Sequence, residues 1–153
     1  MGYFLLLVVL LGLDQWTKHL IKVSFDLGQT MPVIENIFHL TYIHNYGAAF
    51  SILLGKQLLL SVIGTVAILA ILVYIWVERK RSHPFILTAL TFIAGGGLGN
   101  LCDRLSQGYV VDFLDFRVFP IFNVADIFVT VGSVFIFIYL FFIEPKSGRK
   151  SWN

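Results

Sequence analysis

The sequence predicts an all-α membrane protein of four transmembrane helices, with a small extracytoplasmic β-sheet between helices 1 and 2. Three observations carry that prediction. Of the 153 residues, 58% are hydrophobic and only 13% charged, with a mean hydropathy of +0.84, against roughly 25% charged in a soluble domain. The apolar residues gather into four stretches, residues 2–21, 58–77, 85–101 and 124–143, each near the ~20 residues that cross a hydrocarbon core. Between the first two lies a segment too polar to span and too apolar for a plain loop.

The first stretch has no basic residues ahead of its apolar run and continues into "GLDQWTKHLIK" with no small-residue cleavage site, so it is expected to be a retained span rather than a signal peptide. In "NIFHLTYIHN" (36–45), partial alternation places Phe38, Leu40 and Tyr42 on one face of a strand and His39 and Thr41 on the other, with His39 and His44 on opposite faces. "NYGAAF" then ends that segment with small residues that permit close approach. The second stretch, "LLLSVIGTVAILAILVYIWV", holds about a dozen Leu, Ile and Val, at ~−0.3 to −0.6 kcal/mol each, so it inserts unaided. The third, "FILTALTFIAGGGLGNL", is shorter and has four glycines, so it depends on its neighbours; Gly95 and Gly99 form a small-xxx-small pair for close helix contact. No repeat, low-complexity tract or long linker divides residues 1–153, which predicts one membrane domain.

The cations sit where topology wants them, so the net charge of +2 calls for no nucleic-acid partner. "ERKRS" (78–82) joins spans two and three and "PKSGRK" (145–150) follows span four; by the positive-inside rule both face the cytoplasm. Both termini are then cytoplasmic, and segments 22–57 and 102–123 share the outer face. Cys102 is the single cysteine, which excludes an intramolecular disulfide and a CxxC motif; a partly buried, inert thiol is expected. His39 and His44 carry no zinc-binding spacing and are expected to be surface side chains. No metal or cofactor is predicted.

The carboxylates are the informative residues. Asp14 stands one turn before Lys18, as an interfacial i,i+4 ion pair or as support for a site. In "GNLCDR", Asn100, Asp103 and Arg104 share a helix face. Asp103 and Arg104 would each cost ~2.5–3.5 kcal/mol at the membrane centre, which places them at its outer edge or in a mutual clasp. In "FNVAD", Asn123 and Asp126 fit a capping box. Asp115 is expected to pair with Arg117. Asp112, among valines and phenylalanines in "YVVDFLDF", must be protonated or partnered. If Asp112 and Asp126 converge, they cannot both ionise easily and share a proton, one acting as acid and the other as base, which activates water for amide hydrolysis. The helix N-terminus beneath Asp126 favours negative charge. Capping plus a structural acid is the alternative that spacing leaves open.

"NYGAAFS", "GNLCDR", "VVDF" and "FNVAD", in that order on a four-span chain of this length, resemble the lipoprotein signal peptidase (signal peptidase II) family, and the resemblance covers essentially the whole chain. It implies an aspartic endopeptidase of the bacterial cytoplasmic membrane that cuts diacylglyceryl-modified prolipoproteins immediately before the lipidated cysteine. The family's catalytic aspartates match Asp112 and Asp126, and its supporting residues match Asp14, Asn45, Asn100, Asp103, Arg104 and Asn123. Its substrate-cradling sheet matches the segment near 33–45. The implied partners are prolipoprotein substrates, membrane lipid and inhibitors of the globomycin type. Because the matched site residues all lie in one chain, a monomer is expected. Two competing readings are a small transporter with a carboxylate relay, which would place acids mid-membrane on several spans, and a Ser–Lys protease using Ser61 with Lys56 or Ser24 with Lys22.

Overall fold

The computed structural model of the chain describes residues 2–47 and 57–144. The last residues of "NYGAAF", Lys56 and the basic tail at 145–150 lie outside them. Among the described residues, four helices are long and apolar enough to span a membrane: α1 (Gly2–Ser24), α2 (Gln57–Glu78), α3 (Pro84–Gln107) and α4 (Val124–Ile138), the last prolonged by a π-helical turn, Tyr139–Ile143. α3 exceeds its apolar stretch because its polar residues are partnered along its length. Its start is fixed by Pro84 and by the His83 ring, which accepts from the Phe85 amide. Its end is fixed by Gly108 at φ 78°, whose amide donates to the Arg104 carbonyl.

α3 is the hub of the bundle and packs on each of the other three helices. As expected, Gly95 and Gly99 face α1: a Cβ at Gly95 would come within 2.9 Å of Leu10, and one at Gly99 would run into the Asp14 carboxylate. One residue on, Gly96 lies so close to α4 that a Cβ would meet the Ala125 carbonyl.

The sheet has three antiparallel strands in the order β1-β2-β3: β1 (Thr30–Ile34), β2 (Phe38–Asn45) and β3 (Val110–Asp115). β1 and β2 come from the connection between α1 and α2, as expected. β3 comes from the connection between α3 and α4, so the sheet ties both long connections to one end of the bundle. β3 carries no alternation because nearly every residue in it is buried, and strands covered on both faces read as continuous apolar runs.

A β-bulge between Leu40 and Ile43 corrects the expected faces of β2. Leu40 pairs with Leu114 and Ile43 with Asp112, while His39 pairs with Asp115 and His44 with Val111. Thr41 and Tyr42 of β2 oppose the single Phe113 of β3, so side-chain parity slips. His39 and His44 therefore share a face instead of opposing one another. Tyr42 joins them, leaving the side of Phe38 and Leu40, and packs with Ile21, Val111 and Phe113 in the core beneath the sheet.

Candidate active site

Asp112 sits in the middle of β3 and Asp126 in the first turn of α4, on elements that the sheet and α3 hold together. Asp112 is buried, 1% exposed. One of its carboxylate oxygens accepts from Asn123 Nδ2 at 2.7 Å and the other from Asn45 Nδ2 at 2.8 Å. Asn45 reaches it because β2 pairs directly with β3.

Asp126 completes the expected capping box. Asn123 Oδ1 accepts its amide at 3.1 Å, and Asp126 Oδ2 accepts the Asn123 amide at 3.1 Å. The other oxygen of Asp126 accepts from Asn100 Nδ2 at 2.8 Å. Asn123 Nδ2 also donates to Asn100 Oδ1 at 3.0 Å, so one chain of amides links the two carboxylates. Capping and convergence are both present, which removes the opposition between them. Burial, and next the charge of Asp126, push the Asp112 carboxyl up to about 7, against the donors Asn45 and Asn123 and the Lys18 charge.

The pair opens on a cavity of about 920 Å³ whose polar lining includes Asn45, Asn100 and Arg104, and whose apolar lining includes Phe116, Phe119, Ile127 and Val131. Arg104 donates to the Gly47 carbonyl at 3.2 Å, and its Nε is buried with no hydrogen-bond partner among the described residues. The expected Asp103–Arg104 clasp is therefore replaced: Arg104 faces the cavity, and Asp103 turns inward to Lys18 at 3.0 Å. Asp14 pairs with Lys18 at 2.9 Å as expected, but with both side chains almost fully buried rather than at an interface. Asp14 and Asp103 do not line the cavity. Their other contacts run to the backbone that carries the aspartates: Asp14 Oδ1 accepts the Ala125 amide at 2.9 Å, and Asp103 Oδ2 accepts the Val111 amide at 3.1 Å.

A family model described as "Signal peptidase (SPase) II" matches residues 6–142. The chain belongs to the signal peptidase II family. It is 44% identical to a lipoprotein signal peptidase of Halothermothrix orenii over 92% of this chain and 94% of that one. A lipoprotein signal peptidase of Clostridioides difficile is 41% identical, with 96% and 99% covered. Two solved structures titled as bacterial membrane enzymes superpose with TM-scores of 0.87 and 0.82 at 33% and 34% identity. The first covers 99% of this chain and 93% of its own; the second covers 93% and 94%. The protein is thus a multi-pass bacterial membrane peptidase.

Within this family member, residues outside the cavity find plainer roles. Asp115 pairs with Arg117 at 3.0 Å as expected. Burial raises the Asp115 carboxyl, but bonds from the Arg117 amide, the Thr41 hydroxyl and the Arg117 guanidinium outweigh it and hold the group below the usual range. The histidines are not surface side chains: both His39 ring nitrogens are buried with no hydrogen-bond partner among the described residues, and His44 stacks on Tyr109 at 3.6 Å and bonds the Tyr42 hydroxyl at 2.9 Å. Among the described residues no three His, Cys, Asp or Glu side chains group to hold a metal. Cys102 is exposed rather than partly buried. Lys22 reaches Gln107 at 3.4 Å and Ser24 is exposed, so that Ser–Lys pair is not assembled. Sequence reasoning undervalued Lys18 and passed over Gln15, which bonds Asp103 at 2.9 Å. A lysine inside an apolar span was the available signal.

Proposed function

We propose that the protein is an aspartic endopeptidase that removes the signal peptide of diacylglyceryl-modified prolipoproteins, cutting immediately before the lipidated cysteine, with Asp112 and Asp126 as the catalytic pair. The observation that carries this reading is the single amide chain joining two carboxylates, one of them raised to about 7, at the mouth of a largely apolar cavity. The relatives named lipoprotein signal peptidase support the substrate class. The positive-inside rule supports the orientation: "ERKRS" and the basic tail in the cytoplasm, the sheet and the site at the outer face.

The apolar helix of the signal peptide lies in lipid against the spans, and the lipidated cysteine meets the cavity at the interface. A water between the carboxylates attacks the scissile carbonyl carbon and gives its proton to Asp126. Asp112, the member whose burial favours the neutral form, passes its proton to the carbonyl oxygen. When the tetrahedral species collapses, the C–N bond breaks, the proton on Asp126 goes to the leaving nitrogen, and the diol returns one to Asp112. The two aspartates titrate as a coupled pair, and the cycle restores their single proton. Asn45, Asn100 and Asn123 hold the carboxylates, and Arg104 offers to a substrate oxygen an Nε–H that has no partner among the described residues.

The test uses membranes or purified protein with a lipidated prolipoprotein peptide. Asp112→Asn and Asp126→Asn each abolish cleavage while the protein remains folded in the membrane, and cleavage by either variant overturns the reading. Activity persists in EDTA and is blocked by globomycin. Loss in EDTA that zinc restores would point to the histidines instead.

A further inference from the structure

We infer that Lys18 is a positioning residue: its ammonium, bound at once to Asp14, Asp103 and Asn100, sets the separation and orientation of the two carboxylates of the site. The inference rests on the assignment of Asp112 and Asp126 as the catalytic pair.

Lys18 lies inside a membrane-spanning helix and is 1% exposed. An ammonium there is costly and is kept where its donors are satisfied. It has three N–H groups and three acceptors: Asp14 Oδ2 at 2.9 Å, Asp103 Oδ2 at 3.0 Å and Asn100 Oδ1 at 2.9 Å. Each acceptor in turn grips an element that carries a catalytic group. Asp14 holds the amide of Ala125, the residue before Asp126. Asp103 holds the amide of Val111, the residue before Asp112. Asn100 donates to Asp126 itself. One point on α1 therefore references β3, α3 and α4 to each other.

The contact to Asn100 also fixes a direction. Lys18 Nζ and Asn123 Nδ2 both donate to Asn100 Oδ1, so the amide is held with its Nδ2 toward Asp126; turned over, it would set donors against donors. The ionisable groups that interact with Lys18 are Asp14 on α1, Cys102 and Asp103 on α3, and Asp112 on β3. Its charge draws down the Asp112 carboxyl, which burial and Asp126 push up. An ion pair serving stability alone would need neither three acceptors on different groups nor this amide direction.

The experiment compares the full-length protein with Lys18→Arg, Lys18→Met and Lys18→Met combined with Asp103→Asn, using a lipobox peptide with S-diacylglyceryl cysteine. Arginine keeps the charge but replaces the three-pronged donor with a planar fork. The double variant neutralises one of the two carboxylates, Asp14 and Asp103, that methionine would leave without their ammonium. Expected is a kcat at least about 100-fold lower in every folded variant, as for roughly 1 Å misplacement of reacting groups, with KM within about threefold. The high-pH limb of the rate profile moves upward in Lys18→Met and stays in place in Lys18→Arg. A folded variant with wild-type kcat, a loss confined to KM or to the folded fraction, or failure of all three to fold would each overturn the inference. Parallel Asp112→Asn and Asp126→Asn assays separate the failures. Activity in those would sink the catalytic pair, whereas their inactivity beside a fully active Lys18→Arg would sink Lys18 alone.

Discussion

Helices α2 and α3 are nearly equal in length, 22 and 24 residues, and they satisfy the membrane in opposite ways. α2 turns large apolar side chains outward, with Leu58 79% and Trp76 69% exposed, and inserts on side-chain transfer energy alone. α3 has Leu87, Ala89 and Ala94 fully covered and brings Asn100, Asp103 and Arg104 into the same span. It lasts as a helix because glycines admit its neighbours and those neighbours supply ion pairs and hydrogen bonds. Polar chemistry in lipid is thus placed on the best-packed helix, where desolvation is offset by partners rather than avoided.

The largest blow to that contrast is Asp103→Ala. It takes one of three acceptors from the buried Lys18 ammonium and leaves the buried Val111 amide without its acceptor, and at about 1–3 kcal/mol for each such loss, more where the group is charged, the total is about 3–5 kcal/mol; thermal unfolding in detergent reads the loss. Gly96→Val comes next, at about 3 kcal/mol, because its Cβ meets the backbone carbonyl of Ala125, which cannot turn aside.

A pH series sharpens the comparison further. Asp112 ionises at 3.8 in the unfolded chain and at about 7 when folded, so the unfolded state binds fewer protons in between. Stability consequently falls as pH rises from about 4 to 7 and levels off above. Unfolding temperatures measured across that range lose this slope in Asp112→Asn, and wild-type cleavage declines above about pH 7 as the proton of the pair is lost.

Gly64→Ala on α2 has the smallest effect. A Cβ there meets nothing within 4 Å, so the change is neutral or stabilising by up to about 1 kcal/mol. A loss as large as that of Gly96→Val would erase the distinction between the two helices.

Much of the molecule is legible in the residue order. Four apolar runs predict four spans, because backbone polar groups in lipid must be satisfied within a helix. "FNVAD" predicts the capping box, since that motif is closed within four residues. Asp115 with Arg117 was readable for the same reason. The third strand was not, because burial on both faces erased its alternation, and the bulge that moves Tyr42 across the sheet leaves no mark in composition.

Local rules, which reach one turn of helix or one pleat of strand, determined from sequence alone the spans, the capping box of α4, the Asp14–Lys18 spacing and the oddity of an acid in "VVDF". Tertiary structure decided what those groups face. Lys18 meets Asp103 and Asn100 across more than 80 residues, and Asp112 meets Asn45 across 67. Such pairings depend on how four helices and three strands pack, and packing brings together groups that no local period relates.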